Sequence, residues 1–89
     1  MGNEEFLRIC KSKVAEYYND HVDVTNSRNV PMTVDDVFVV WSCKTLQNNK
    51  ALLSTTVSDG MYYELTYNGD KNELYFDAYK KWENICFKL

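Results

Sequence analysis

The sequence predicts an α+β fold, in which an N-terminal helix packs on one face of a four- to five-stranded antiparallel meander. The stretch from Asp36 to Tyr79 contains four runs with strand character, separated by the turn signals QNN, SDG and NGDK. Before this stretch, residues 3–21 carry apolar side chains at intervals of three and four. A chain of 89 residues has room for one hydrophobic core, so residues 1–89 are expected to form a single domain.

The predicted helix spans residues 3–21 and has one apolar stripe. Asn3 is a candidate N-cap, and the two glutamates that follow lie where the helix dipole favours negative charge. Leu7 and Tyr18 widen the stripe, so the helix is expected to lie on a flat surface such as a sheet. The stripe consists of Phe6, Ile9, Cys10, Val14, Tyr17 and His21.

Residues 22–33 lack periodicity and are rich in Asn, Ser, Thr and Asp, which predicts a linker. Pro31 biases Val30 toward extended backbone. Thr33 and Asp36 then have the spacing of a capping box, which favours one short helical turn before the sheet. The β-branched residues that follow argue against a longer helix.

Four strands are predicted, at residues 36–46, 50–57, 61–67 and 72–80. The loops between them are taken as Gln47–Asn49, Ser58–Gly60 and Asn68–Lys71. Gly60 is expected in the left-handed conformation that a three-residue hairpin loop requires. The first loop sets Cys43 against Leu53 in the neighbouring strand, and it sets Trp41 against Thr55.

This register divides the side chains between two faces, because they alternate along each strand. The face toward the helix is predicted to hold Val39, Trp41, Cys43, Leu53, Val57, Met61, Tyr63, Leu65, Leu74 and Phe76. The second face is predicted to hold Phe38, Val40, Leu52, Tyr62, Glu64, Thr66, Tyr75, Asp77 and Tyr79. Three tyrosines and several aliphatic side chains make the second face less polar than solvation alone requires, which is typical of a partner or ligand surface.

The residues after position 80 fit two patterns. Ile85 lies at helical spacing from Trp82 and Leu89. It also alternates with Phe87, as side chains do in a strand. We favour a turn followed by a short strand over residues 85–88, which would be the fifth strand.

Composition argues against several classes of function. A formal charge of −3, with lysines and arginines scattered among acids, lacks the basic cluster that nucleic-acid binding needs. The three cysteines have no metal-ligand spacing and no paired framework, so no metal or other cofactor is expected. The sequence has neither a signal-peptide pattern nor a run of about 20 apolar residues. We therefore expect a cytoplasmic protein with reduced thiols and no membrane contact.

The candidate ligand- or partner-binding residues fall into two groups. They are Lys44, Gln47, Asn48 and Lys50 around the first loop, and Tyr62, Tyr75, Asp77 and Tyr79 on the second face. Tyrosine rings can stack on a base, and Lys44 or Lys50 can meet a phosphate. The simpler interpretation is that the tyrosines pack across strands or at a seam between two copies, and that the loop lysines are a solvated hairpin tip.

Catalysis is the least favoured class, because no catalytic motif stands out. The candidate chemistry would pair Cys43 with His21, or would use Glu64 and Asp77 as two carboxylates. Cys43 is expected to face the core, where a thiol is not activated. A homo-oligomeric DNA-processing or regulatory factor is the remaining alternative, although the net charge disfavours it.

Two sequence blocks carry a family resemblance. They are VVWSCKTLQNNKALL at residues 39–53 and YYELTYNGDK at residues 62–71. In these blocks, and over roughly residues 33–88, the chain resembles a family of short uncharacterised proteins encoded by phages and prophages of Gram-positive bacteria. It departs from that family at Asn49, where the resemblance implies an aromatic side chain. The resemblance implies a phage accessory gene and supplies neither an activity nor site residues.

The function hypothesis combines the resemblance with the second face. We expect a small non-enzymatic accessory protein in the cytoplasm of the bacterial host cell. It would bind a host protein, as inhibitors of bacterial defence do, or sequester a small nucleotide-type ligand. Its small size and tyrosine-rich face also predict a homo-oligomer.

Overall fold

The computed structural model describes residues 1–22 and 30–89, and it shows one helix packed on one antiparallel sheet. The elements are α1 (Asn3–His21), a 3₁₀ helix (Val34–Asp36), β1 (Val37–Thr45), β2 (Asn48–Thr55), β3 (Met61–Asn68) and β4 (Glu73–Lys80). The strands lie in the order β1-β2-β3-β4, so each strand pairs with its neighbour in sequence. The predicted α+β fold is confirmed, with four strands.

Helix α1 has the predicted bounds, and four residues of the predicted stripe, Phe6, Cys10, Val14 and Tyr17, pack in the core against the sheet. Its most deeply buried side chains are Phe6, Cys10, Val14 and Ala15. The N-cap is Gly2 and not Asn3, and its carbonyl accepts a hydrogen bond from the Phe6 N–H at 3.0 Å. His21 is exposed at the C-terminal end, where its ring stacks on Tyr17 with centroids 4.0 Å apart.

The chain enters the sheet through a segment that is fastened to α1. Residues 23–29, most of the predicted linker, lie outside the described residues. The Asn19 side chain donates a hydrogen bond to the Met32 carbonyl at 2.9 Å and accepts one from the Met32 N–H at 2.7 Å. The predicted capping box then forms, because the Thr33 N–H donates to the Asp36 carboxylate at 3.0 Å.

Strands β2, β3 and β4 have the predicted faces, although their partners are shifted by two residues. Leu53 lies opposite Tyr63, and Leu65 lies opposite Phe76. A shift of two residues preserves the face of every side chain, since strand side chains have a period of two. Gly60 has the predicted positive φ, at +74°.

The first hairpin differs from its prediction in two ways. Its turn is Leu46–Gln47, with Thr45 opposite Asn48, instead of a loop over residues 47–49. Leu46 supplies the positive φ, at +56°. Leucine rarely adopts this conformation, so its residue type does not mark Leu46 as a turn position.

A β-bulge at Val40 then reverses the predicted faces of the residues that follow it in β1. The pairing steps from Val39 to Trp41 while β2 advances by one residue. Trp41 therefore lies opposite Leu52, and Cys43 lies opposite Lys50, on the face turned away from α1. The prediction that Trp41 and Cys43 face the core is wrong, because one extra residue exchanges the two faces.

The core lies between α1 and the inner face of the sheet. Its members include Phe6, Val14, Leu53, Tyr63 and Leu65, which are at most 2% exposed. Val57, which was predicted to join them, is 37% exposed beyond the end of β2. Burial, with a smaller contribution from the negative charge of Asp59, raises the pKa of Tyr63 to about 12.

Residues 81–89 follow β4 without regular secondary structure, so the predicted strand over 85–88 is absent. The Lys81 N–H still donates to the Gly60 carbonyl at 2.7 Å, and then the chain leaves the sheet. Its apolar side chains, Trp82, Ile85, Phe87 and Leu89, are all exposed. Among the described residues, no helix combines the length and the apolar character that crossing a membrane requires.

Candidate functional site

The face of the sheet turned away from α1 carries a group of large apolar side chains, which we call the aromatic face. It consists of Phe38, Trp41, Leu52, Tyr62, Tyr75 and Tyr79. Phe38, Trp41, Tyr75 and Tyr79 are 42–52% exposed, far more than the residues beneath α1. The described residues place no second layer on this face, so these rings remain in solvent.

Five of the six residues of the aromatic face lie at one end of the sheet, whereas Tyr75 lies nearer the other end, opposite Thr66. Tyr62 lies directly opposite Tyr79, and Trp41 lies directly opposite Leu52. The other end of the same face is polar and carries Thr45, Asn48, Asn68 and Glu73. The apolar surface therefore has a defined boundary, as interaction surfaces have when a polar rim surrounds them.

A shallow pocket of about 390 Å³ lies within the aromatic face. Its walls are Leu52, Tyr62, Glu64, Tyr79, Lys80 and Lys81. The Lys81 ammonium lies 5.9 Å from the centroid of the Tyr62 ring, within the range of a cation–π contact. The pocket thus joins aromatic rings to two lysines and one carboxylate, which suits an amphipathic ligand with a negative group.

The middle of the face holds an ion pair. The Lys50 ammonium lies 3.3 Å from the Glu64 carboxylate, and their side chains are 43% and 23% exposed. Asp77 lies directly opposite Glu64 on the neighbouring strand, which places two carboxylates side by side. The positive charge of Lys50 offsets the repulsion between the two carboxylates. Lys50 therefore already has an anionic partner within the chain.

The predicted loop residues are engaged at the turn. Lys44 donates to the Met1 carbonyl at 3.2 Å. Gln47 donates to the Asp70 carboxylate at 2.7 Å, and Asn48 accepts from the Gly69 N–H at 3.0 Å. These bonds join the β1–β2 turn to the β3–β4 turn, so Gln47 and Asn48 hold two hairpins together.

The structure therefore divides the sequence-predicted site. Tyr62, Tyr75, Asp77 and Tyr79 share the outer face with Lys50, whereas Lys44, Gln47 and Asn48 lie at its far end or beyond it. Sequence reasoning missed Trp41, because nothing in the run from Val39 to Trp41 marks the bulge. It also missed Lys80 and Lys81, although two adjacent lysines at the end of a strand are visible in the sequence.

The candidate catalytic pair is not brought together. The His21 ring stays on α1, with Nδ1 2.8 Å from the Tyr17 carbonyl, whereas Cys43 lies on the face turned away from the helix. Within residues 1–22 and 30–89, no group of three or more His, Cys, Asp or Glu side chains is placed to hold a metal ion. The hypothesis that the protein is not an enzyme stays a prediction.

The three thiols are expected to differ in reactivity. Cys10 is buried, and burial raises the pKa of its thiol to about 12, whereas Cys43 and Cys86 are exposed. Because the thiolate is the nucleophile, iodoacetamide near pH 8 should modify Cys43 and Cys86 and spare Cys10 until the chain unfolds. Intact-mass and peptide spectrometry over time measure this. Modification of Cys10 at the rate of the other two would contradict the packing of α1.

Asn49 is an uncompensated polar residue in the core. It is 1% exposed, and within residues 1–22 and 30–89 neither its side-chain nitrogen nor its oxygen has a hydrogen-bond partner. It lies on the inner face of β2, opposite Lys44 on one side and Tyr67 on the other. This is also the position where the family resemblance implies an aromatic side chain. An unpaired buried amide costs about 1–3 kcal/mol.

Replacing Asn49 with leucine is therefore expected to raise the free energy of unfolding by about 1–2 kcal/mol, because the unpaired amide is removed at similar volume. Asn49→Asp is the matched control. It keeps the shape but buries a charge, so it should lower stability. Urea titration followed by circular dichroism measures both. A loss of stability in Asn49→Leu would show that the amide has a partner in solution.

These features define a class: a small α+β protein with an open four-stranded sheet, covered by a helix on one face and aromatic on the other. The chain belongs to DUF6275, a family of unknown function, whose sequence profile matches residues 7–89. The matched region covers most of α1 and all four strands of the sheet. Neither the curated proteins nor the solved structures contain a significant match to the chain.

Proposed function

We propose that this protein is a small non-enzymatic binding protein whose aromatic face binds another protein. The observation that carries the proposal is the exposure of four aromatic rings, Phe38, Trp41, Tyr75 and Tyr79, on one side of the sheet. Large aromatic side chains are enriched at interfaces, because they bury much area at little entropic cost. Lys50, Glu64 and Asp77 beside them supply charged groups that give such a contact its orientation.

We further propose that the protein is a phage or prophage accessory protein and acts in the cytoplasm of the bacterial host cell. The resemblance of residues 39–53 and 62–71 to such proteins supports this origin. A compact protein with one binding face suits the blocking of a host protein, including a component of bacterial defence. The alternative of a DNA-processing or regulatory factor has less support, because the chain carries a net charge of −3.

A second candidate is a small nucleotide-type ligand in the pocket of the aromatic face. Tyr62 and Tyr79 form a pair of rings on which a base can stack, and Lys80 and Lys81 border it. This assignment replaces Lys44 and Lys50 as phosphate partners with the two lysines at the end of β4. Cross-strand packing of the two tyrosines is the simpler explanation of their position.

Affinity capture with paired variants tests the protein-binding proposal. Tagged wild type, the double variant Trp41→Ser/Tyr79→Ser and the control Trp82→Ser are expressed in a Gram-positive bacterium, and the retained proteins are identified by mass spectrometry. Trp82 is the matched control, since it is 95% exposed and lies in the segment after β4. We expect one host protein to be retained by wild type and by Trp82→Ser and lost from the double variant.

The same preparations distinguish the second candidate. Wild type and Lys81→Ala are denatured, and the released small molecules are analysed for nucleotides by mass spectrometry. A nucleotide released from wild type and reduced in Lys81→Ala would favour the pocket. A double variant that stays folded and retains the same host protein as wild type would contradict binding through the aromatic face.

A further inference from the structure

The two edge strands of the sheet differ in how well they are protected from pairing with another strand. Edge strand β1 contains the bulge at Val40, and its Lys44 side chain holds the Met1 carbonyl. Edge strand β4 pairs with β3 without interruption from Glu73 to Lys80 and contains no proline. In the described part of the chain, no element pairs with its outer edge. A regular, unpaired edge of this kind is a template for another strand.

We propose that a second copy of this chain binds antiparallel along β4, so that the two sheets join into one continuous sheet. Opposite residues in an antiparallel pair share a face of the sheet. The inner face of one copy must therefore continue the inner face of the other, which places the two-fold axis at a residue and not between two residues. The register that satisfies the charges best has this axis at Phe76.

Charge selects this register over its neighbours. With the axis at Phe76, Tyr75 faces Asp77 of the second copy, and Glu73 faces Tyr79 of the second copy, so each carboxylate meets a phenol. With the axis at Asp77, two carboxylates would lie directly opposite each other. With the axis at Tyr75, Asp77 would face Glu73. Like charges directly opposite destabilise a strand pair.

The inner face supports the same register. Phe76 lies opposite its own copy, and Leu74 lies opposite Ala78, so the contact is apolar. Phe76 also lines a pocket of about 220 Å³ beside the edge, together with Lys13, Glu16, Tyr17 and Asp20. The second copy would cover this pocket. The rim of this pocket carries one lysine, Lys13, and two carboxylates, Glu16 and Asp20. The two-fold axis turns the rim of the second copy around, so that lysines of one copy can approach carboxylates of the other.

The joined sheet has a consequence beyond the proposed function. An axis perpendicular to the sheet places both aromatic faces on the same side of the dimer. Tyr75 and Tyr79 of each copy then lie next to the junction, so the two faces become one surface. A partner bound there would contact both copies.

Ala78→Lys tests the proposal. Ala78 is exposed, so lysine is accommodated in the single chain, but it would face Leu74 of the second copy across the new junction. Ala78→Ser is the matched control. Light scattering after size exclusion is measured over roughly 1–500 µM, because a contact of this limited area is expected to dissociate in the micromolar range. Wild type and Ala78→Ser should reach twice the mass of one chain, and Ala78→Lys should stay monomeric with the same circular dichroism spectrum.

Hydrogen exchange gives an independent readout. The outer amides of β4 should become protected with rising concentration in wild type and not in Ala78→Lys. A wild type that remains monomeric over the whole range would overturn the proposal. A dimer that forms without protection of β4, or that persists in Ala78→Lys, would also overturn it, because its interface would then lie elsewhere.

Discussion

Replacing Phe6 with alanine is expected to lower the free energy of unfolding by about 3–5 kcal/mol, as truncation of a buried phenylalanine does. The Phe6 side chain is fully buried between α1 and the sheet. Its removal leaves a cavity that the rigid sheet cannot fill. The free energy of unfolding of a native domain is about 5–15 kcal/mol in total, so the variant should be close to unfolding.

Phe38→Ala is the matched control for this prediction. It makes the same chemical change on the aromatic face, where Phe38 is 48% exposed. The expected loss is about 1 kcal/mol or less, because little packing is removed. Urea titrations of wild type and both variants are analysed with one common dependence of the free energy of unfolding on urea concentration. They give the loss of stability of each variant relative to wild type. Equal losses would mean that the two faces of the sheet are equally buried.

The second large effect is expected at Gly69, where the two turns at one end of the sheet touch. A Cβ atom at this position would lie 2.8 Å from the Gln47 Cβ and 2.9 Å from the Gln47 carbonyl carbon, and would overlap the carbonyl oxygen. The neighbour is backbone, so it cannot rotate away. Gly69→Ala should therefore cost about 1–3 kcal/mol, as overpacking does in other cores.

The loss at Gly69 should be larger if the turns separate. Separation would break the bond between Gln47 and Asp70 and the bond between Asn48 and the Gly69 N–H. Gly2→Ala is the control for the added methyl group, because a Cβ there would meet no atom within 4 Å. Since Gly2 is the N-cap of α1, where alanine is less favourable than glycine, the control is expected to cost less than about 1 kcal/mol. Thermal unfolding of both variants measures the effect. A Gly69→Ala variant as stable as wild type would show that the turns are not in contact in solution.

The faces of β2, β3 and β4 were predictable because they depend only on parity. Leu53, Tyr63 and Leu65 stand at alternate positions of their strands, and the glycine of SDG marks the turn between those strands. Loops whose lengths differ by two residues give the same faces, so the shift of two residues in the pairing left the predicted faces unchanged. The bounds of α1 were predictable for a similar reason, since its apolar stripe ends where the linker composition begins.

The remaining features depend on contacts that leave no local pattern. Val39, Val40 and Trp41 all suit a strand on either face, so the bulge that exposes Trp41 has no signal in the sequence. Leu46 at positive φ contradicts its intrinsic preference and is imposed by the pairing around it. The bond between Gln47 and Asp70 joins turns that are distant in sequence, so the sequence predicts this loop only as a group of candidate binding residues or as a solvated hairpin tip.

The central claim is that Trp41 lies on the aromatic face, and the solvent accessibility of this ring tests it most directly. Strict alternation along β1 would place the ring in the core, whereas the bulge in the structure places it on the aromatic face. The variant Trp82→Phe leaves Trp41 as the sole tryptophan. Acrylamide quenching of its fluorescence is then measured in the folded protein and in urea. We predict ready quenching and red-shifted emission in the folded protein, as a ring that is 42% exposed should show. Blue-shifted emission that acrylamide reaches only after unfolding would place Trp41 beneath α1, and the aromatic face would lose the residue that the bulge gives it.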